Sequence, residues 1–206
     1  MTDLTLYTNP MSRGRIARWM VEETGQPYDT VIVPFGPAMK SADYRAVNPM
    51  GKVPAVRHGD VVVTECAAIC AYLADTFPEV KLAPPNALRG SYYRWLFFAA
   101  GPLEAAVSNR SLGFEVPDER RRMIGYGSFQ DVMDTLEIAV STNPFVAGQA
   151  FTAADVYVGS HIAWGLQFGS IEKRPAFVDY LARVSDRPAF QRAKEKDDQA
   201  AAAMQP

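Results

Sequence analysis

A serine lies where a predicted strand turns into a predicted helix close to the N-terminus. Residues 4–7 alternate between apolar and polar side chains, as strands do, and an Asn-Pro pair at 9–10 predicts a turn. Ile16 and Met20 then recur at helical spacing. Ser12 therefore lies at a helix start, where unpaired N–H groups and the helix dipole favour an anion such as a thiolate. Serine is also a common helix N-cap, so this residue alone leaves a purely structural role open.

Composition and charge exclude several classes of protein. The chain has 206 residues, 48% hydrophobic and 21% charged, which is an ordinary globular composition sufficient for one or two domains. Its net charge of -2 offers no basic surface for a nucleic acid, and we interpret the arginine run at 120–122 as a solvated helix start. We expect a cytoplasmic protein without membrane contact, because neither a leader-like start nor a membrane-length apolar run is present.

The two cysteines favour neither a metal centre nor a disulfide. Cys66 and Cys70 are four residues apart, on one face of a predicted helix, without a nearby histidine. Zinc sites use four ligands at characteristic spacings, and a disulfide has geometric requirements that a helix face does not meet. We therefore expect buried, unreactive thiols and no metal.

The order of the predicted elements divides the chain in two. A strand–helix–strand unit with strands at 4–7 and 28–33 is followed by a hairpin at Gly59 and by a helix that Thr64 is expected to cap. Residues 80–87 lack periodicity, and every later segment has a helical pattern. The sequence thus predicts an α/β domain over 1–79, a linker over 80–87 and an all-helical domain over 88–206.

Local signals define the helices of the second half. The pattern predicts one helix over 89–109 and another over 117–141. Thr152 and Asp155 have the spacing of a capping box at the start of the next helix. Arg-Pro pairs at 174–175 and 187–188 predict two short final helices, and residues 200–206 a frayed tail.

Five motifs resemble those of the cytosolic glutathione transferase family, in particular its serine-type, bacterial-like members. They are LYTNPMSRGR, NPMGKVPAV, TECAAI, FVAGQAFTAADVYVG and RPAFQRA, and the resemblance spans nearly the whole chain. It implies an α/β N-terminal thioredoxin-like domain with a mixed four-stranded sheet, and an all-α C-terminal domain that forms the second-substrate site. It also implies a homodimer.

The resemblance assigns roles to five residues of the first half. Ser12 matches the serine that hydrogen-bonds the glutathione sulfur, which would lower a thiol pKa of roughly 8.5. Val53 matches the residue whose backbone pairs with the cysteinyl backbone, with Pro54 cis, although most X–Pro bonds are trans. Glu65 and Cys66 match an acid–serine pair that holds the γ-glutamyl end. Because a thiol is a weak donor, the backbone N–H of Cys66 and the helix dipole gain importance.

Further polar residues are candidates with a structural alternative. Asn9 is a candidate donor near the glutathione sulfur, but its residue type equally fits the turn. Lys40 and Lys52 are candidates for the glycyl carboxylate, and Lys52 is favoured by its position before Val53. Arg13 and Arg15 are placed to hold anions at the site entrance, or are simply solvated.

The resemblance places the second substrate between the two halves. An apolar pocket with few polar groups suits a hydrophobic electrophile. Packing in a core is the alternative for most of the aromatic candidates. The candidate residues are Met11, Arg13, Phe35, Trp95, Phe98, Trp164 and Phe168.

The function expected from the resemblance is a cytoplasmic, homodimeric detoxification enzyme. It would conjugate the glutathione thiolate to a small hydrophobic electrophile, with glutathione as co-substrate and no metal. A glutathione-dependent isomerase or lyase on the same fold is one alternative. A non-catalytic glutathione-binding or interaction protein is another, which the replacement of serine by Cys66 keeps open.

Overall fold

The computed structural model describes residues 3–204, and the contacts among them group the chain into two units. The first unit contains the residues up to Lys81 together with those from Asp186 onward, and the second spans Leu82–Ser185. The boundary at Lys81 lies within the predicted linker at 80–87. The last segment differs from the predicted division, in which residues 88–206 form one helical domain.

A four-stranded mixed sheet is the centre of the first unit, as predicted. Its strand order is β2-β1-β3-β4, with a parallel β1–β2 pair and antiparallel β1–β3 and β3–β4 pairs. A crossover helix produces the parallel pair, and a hairpin at Gly59 produces the last antiparallel pair. The elements are β1 (Leu4–Thr8), α1 (Gly14–Thr24), β2 (Asp29–Ile32), α2 (Ala42–Val47), β3 (Ala55–His58), β4 (Val61–Thr64) and α3 (Cys66–Thr76).

The prediction that Thr64 caps α3 is wrong. Thr64 is the last residue of β4 and pairs with Ala55 in the ladder, so it is committed to the sheet. Glu65 takes the N-cap position of α3 with a φ of 66° and no side-chain capping bond. A strand therefore passes into a helix across one residue with an unusual backbone conformation.

The second unit is helical among its described residues, with two departures from the predicted helices. A π-helical turn at Ala99–Leu103, which includes Pro102, divides the helix predicted over 89–109. The helix predicted over 117–141 is divided: a short 3-10 helix spans Asp118–Met123, and Gly127 then adopts a φ of 70° before Ser128 caps a separate helix. The helices are α4 (Arg89–Phe98), α5 (Glu104–Ser111), α6 (Phe129–Thr142), α7 (Ala153–Phe168) and α8 (Pro175–Ser185).

The predicted capping box at the start of α7 is confirmed. The Thr152 side chain accepts from the backbone N–H of Asp155, and the Asp155 carboxylate accepts from the backbone N–H of Thr152. Both residues are buried. Asp155 also accepts hydrogen bonds from the Val146 N–H and the Tyr180 hydroxyl, each at 2.8 Å. The Asp155 carboxylate thus connects the start of α7 to α8 and to the loop that precedes α7.

The last helix, α9 (Pro188–Ala203), belongs to the first unit. The ring edge of Phe190 contacts the Trp19 indole of α1, with ring centroids 4.8 Å apart. The predicted tail at 200–206 is wrong as far as Ala203, because successive alanines continue the helix. Gln205 and Pro206 lie outside the described residues. None of the helices within residues 3–204 is long and apolar enough to span a membrane.

Candidate functional site

The Ser12 side chain closes the turn between β1 and α1. Its hydroxyl donates to the Asn9 carbonyl oxygen at 2.7 Å and accepts from the Gly14 N–H at 2.9 Å. Arg13, the N-cap of α1, forms no side-chain capping bond. Ser12 is only half-buried, so its hydroxyl can reach a ligand at the helix start. A hydroxyl has a single proton, and donation to a ligand therefore requires it to leave the Asn9 carbonyl.

Asn9 is a turn residue, which was the alternative to its predicted role as a glutathione ligand. Its side-chain amide donates to the Val33 carbonyl at 3.1 Å and accepts from the Met11 N–H at 2.9 Å. Asn9 has no exposed surface. The polar groups of Asn9 thus hold the turn to the end of β2, and its role as a glutathione ligand stays a prediction.

Thr8 and Gly14 pack against each other directly behind Ser12. A Cβ atom at position 14 would collide with the Thr8 hydroxyl and lie 3.0 Å from the Ser12 hydroxyl. Thr8 is fully buried, and its hydroxyl has no hydrogen-bond partner among residues 3–204. A glycine at the start of a predicted helix is the one sequence signal of this close approach.

A contact from Cys66 brings the start of α3 to the Ser12 turn. The Cys66 thiol donates to the Arg13 carbonyl, with sulfur and oxygen 3.6 Å apart. Both cysteines are buried thiols, as predicted. Burial and the neighbouring Cys66 raise the pKa of the Cys70 thiol well above its ordinary value, so Cys70 stays protonated. The N-termini of α1 and α3 are thus adjacent within the first unit.

Glu65 presents an exposed carboxylate at this junction. Its backbone has a φ of 66° and a ψ of 122°, a conformation that costs of order 1–3 kcal/mol for a residue other than glycine. The Glu65 carboxylate has no hydrogen-bond or ion-pair partner within residues 3–204. A strained residue with an unused charge is a candidate for ligand binding.

The bond between Val53 and Pro54 is cis, as the resemblance implied. Val53 is half-buried, and its side chain packs against a buried cluster. Its main-chain N–H and C=O have no partner in the described part of the chain, so they are available to an extended peptide. The cluster consists of Tyr7, Val33, Met39, Tyr44 and Ala55.

The loop before Val53 is held by hydrogen bonds to one carbonyl. The Tyr44 hydroxyl and the Asn48 amide donate to the Lys52 carbonyl at 2.8 and 2.7 Å. Burial, with the nearby Tyr7 phenol, raises the pKa of Tyr44 to about 12, so Tyr44 remains a donor at neutral pH. The free main-chain groups of Val53 are thereby fixed in position.

The two candidate lysines differ in the hydrogen bonds of their side chains. The Lys40 ammonium donates to the Met50 and Gly51 carbonyls at 2.9 and 2.7 Å and so closes the turn before Lys52. The Lys52 side chain is exposed and has no partner among residues 3–204. Lys52 is therefore the freer cation of the two, in agreement with the sequence-based preference.

The candidates for the second-substrate site fall into exposed and packed residues. Met11 and Phe35 of the first unit are exposed, as is Phe168 of the second. Trp95 is buried and packs edge-on against Phe98, with centroids 5.5 Å apart, so the alternative of core packing is correct for Trp95. Trp164 and Phe98 are half-buried, and Arg13 is exposed.

This sheet order, with a cis-proline before β3 and a helical unit after the sheet, defines a thioredoxin-like domain followed by an all-helical one. A family model described as "Glutathione S-transferase, N-terminal domain" matches residues 11–76, from the Ser12 turn to the end of α3. Glutathione S-transferase GstA of Escherichia coli O157:H7 is 31% identical over 199 residues, which cover 92% of this chain and 96% of the relative. The chain belongs to the glutathione S-transferase family.

Solved structures agree over nearly the whole chain. A glutathione transferase from Methylococcus capsulatus superposes with a TM-score of 0.79 at 27% identity, covering 95% of this chain and 99% of its own. A glutathione transferase homologue from Sulfitobacter, with bound glutathione, gives a TM-score of 0.77 at 25% identity with the same coverage. The chain is therefore a transferase with this family's two-part architecture.

Proposed function

We propose that this transferase conjugates the thiolate of glutathione to small hydrophobic electrophiles, as a cytoplasmic detoxification enzyme of the serine type. The observation that carries the proposal is the meeting of two helix N-termini beside the Ser12 hydroxyl, held by the contact from Cys66 to the Arg13 carbonyl. Both N-termini favour a bound anion. Bound glutathione in the Sulfitobacter homologue supports the choice of tripeptide.

Ser12 would activate the sulfur by donating its proton as a hydrogen bond. A free thiol has a pKa of roughly 8.5, so little thiolate exists at neutral pH. A hydroxyl donor binds the thiolate more strongly than the thiol and lowers that pKa. The thiolate then forms a carbon–sulfur bond with the electrophile, and the leaving group departs with its electron pair.

Four other groups would hold the tripeptide. The free main-chain N–H and C=O of Val53 suit pairing with the cysteinyl backbone. The Glu65 carboxylate suits the γ-glutamyl ammonium, while the first N–H groups of α3, beginning at Cys66, suit its carboxylate. Lys52 suits the glycyl carboxylate.

The exposed apolar side chains Met11 and Phe35 of the first unit would contact the electrophile. Isomerase or lyase chemistry uses the same thiolate and is an alternative, which product analysis distinguishes: a conjugate retains glutathione, whereas isomerisation returns it.

We further propose a homodimer. Tyr93 and Phe97, four residues apart on α4, are exposed apolar rings that a second copy would cover. Light scattering should give twice the mass of the chain.

The role of Ser12 is tested by Ser12→Ala with chlorodinitrobenzene as the electrophile. We expect kcat/KM to fall about tenfold or more and the pKa of bound glutathione to rise toward about 8.5, because the donor is lost. Retention on immobilised glutathione should persist, since Val53 and Glu65 are unchanged.

Ser128→Ala is the matched control. Ser128 also accepts a helix-start N–H, from Asp131 at 3.1 Å, but it lies in the second unit at α6. Its loss should lower stability by about 1 kcal/mol without changing the pKa of bound glutathione. If Ser12→Ala is as active as the wild type, the proposed role of Ser12 is wrong.

A further inference from the structure

Ion pairs fasten α9 to α1 along the length of both helices. The Arg18 guanidinium donates to the Asp197 carboxylate at 2.7 Å, and both side chains are buried. Arg192 and Lys196 pair with Glu22 at 2.9 and 2.6 Å. The C-terminal helix is therefore held on the helix that begins at the Ser12 turn, and both belong to the first unit.

A further ion pair between α1 and α9, formed by Arg15 and Asp198, reaches the Ser12 turn. The Arg15 Nε donates to the Pro10 carbonyl at 2.6 Å, and its terminal nitrogen donates to the Asp198 carboxylate at 2.7 Å. The Arg15 main-chain N–H donates to the Ser12 carbonyl at 3.2 Å. Arg15 thus contacts the turn at the carbonyls of Pro10 and Ser12, while its charge is paired with Asp198 of α9.

Asp198 is an anion whose carboxylate is held in place by two donors. Lys194, one turn earlier on α9, donates to its second carboxylate oxygen at 2.8 Å. Hydrogen bonds from Lys194 and Arg15 lower the pKa of Asp198, so it is a carboxylate at neutral pH. The two donors together orient the carboxylate toward Arg15.

We infer that Arg15 and Asp198 are positioning residues for Ser12, so that α9 sets the geometry of the turn from which the hydroxyl donates. The inference rests on the proposed role of Ser12 and adds a contribution from the C-terminal helix. Small displacements of a donor reduce its effect on a developing or bound anion. Loss of either partner would therefore weaken thiolate stabilisation without removing a group that touches glutathione.

The test compares Arg15→Met and Asp198→Asn with Arg192→Met, a control in the same α1–α9 interface that pairs with Glu22 away from the turn. The readouts are the pKa of bound glutathione, followed by ultraviolet absorbance of the thiolate, and separate kcat and KM values. We expect kcat to fall about tenfold in Arg15→Met and about threefold in Asp198→Asn, because exposed charge pairs contribute modestly. The bound thiol pKa should rise in both, and Asp198→Glu should restore part of the loss.

Two results would overturn the inference. The first is that both variants titrate bound glutathione like Arg192→Met. The second is a bound thiol pKa that stays at or below the wild-type value in Asp198→Asn. Arg15 would then act on the thiolate directly through its charge, because neutralising Asp198 leaves that positive charge uncompensated.

A failure of this inference is distinguishable from a failure of the proposed function. If Ser12 is the donor, adding Asp198→Asn to Ser12→Ala should have no further effect on the bound thiol pKa. Exchange of the Gly14 amide, which donates to the Ser12 hydroxyl, reports on the turn without any reaction. Faster exchange in Asp198→Asn than in Arg192→Met supports the structural part of the inference, that α9 holds the turn, even if Ser12→Ala proves active, and equal exchange contradicts it.

Discussion

The helix starts of the two units are satisfied in opposite ways. At α7, the buried Asp155 carboxylate accepts from the N–H and hydroxyl of Thr152 at 2.8 and 2.9 Å, so the helix start is closed by the chain's own groups. At α1 and α3, the N-cap residues Arg13 and Glu65 form no side-chain capping bond. The start of α7 is thus closed by buried groups, whereas the Gly14 N–H at the start of α1 is bonded to the half-buried Ser12 hydroxyl, which a ligand can reach.

This difference separates stability from binding. Breaking a helix start that is closed and buried should lower the free energy of unfolding strongly but should not change the binding of glutathione. A half-buried helix start that a ligand can reach, such as that of α1, should also matter for the bound thiolate.

The largest effect is expected from Asp155→Ala. The substitution leaves the donors of Val146, Thr152 and Tyr180 buried without their acceptor, at a cost of about 3 kcal/mol or more in urea unfolding. Asp131→Ala is the control, because Asp131 occupies the same position in α6 but is exposed, and it should cost about 1 kcal/mol or less. Equal losses of stability would contradict the distinction between the closed and the exposed helix start.

The next effect is expected from Gly14→Ala at the start of α1. The new methyl group collides with the Thr8 side chain and crowds the Ser12 hydroxyl, so stability should fall by about 1–3 kcal/mol and kcat with it. Gly90→Ala in α4 meets no atom within 4 Å and should be neutral or stabilising by up to about 1 kcal/mol. Unchanged activity in Gly14→Ala would show that the turn tolerates movement of Ser12.

The smallest change in stability is expected from Glu65→Gly. Glycine relieves the positive φ and should stabilise the free protein by about 1 kcal/mol, while removal of the carboxylate raises the KM for glutathione. Lys81→Gly relieves a φ of 56° without touching the site, and it should raise the melting temperature and leave KM unchanged. A KM unaffected by Glu65→Gly would remove Glu65 from the proposed ligands.

Local signals in the sequence predicted the parts of the fold that depend on neighbours in the chain. The alternation in β1, the hairpin glycine at 59 and the Thr152–Asp155 spacing each determine structure within a few residues. The resemblance added the cis bond before Pro54, which residue statistics oppose. These features were accessible because little of them depends on distant contacts.

The remaining features depend on contacts between distant segments. The return of α9 to α1 rests on pairs such as Arg18–Asp197, which are 179 residues apart in sequence. The contact from Cys66 to the Arg13 carbonyl and the buried position of Asn9 also arise only when strands and helices assemble. Residue type alone left Asn9 open between ligand and turn, and its hydrogen bond to the Val33 carbonyl appears only in the folded structure.

The most direct measurement is a crystal structure of the protein with glutathione. The account predicts the glutathione sulfur within hydrogen-bond distance of the Ser12 hydroxyl, with that hydroxyl turned from the Asn9 carbonyl toward the sulfur. A structure with the tripeptide absent from the start of α1, or with its sulfur beyond the reach of Ser12, would contradict it.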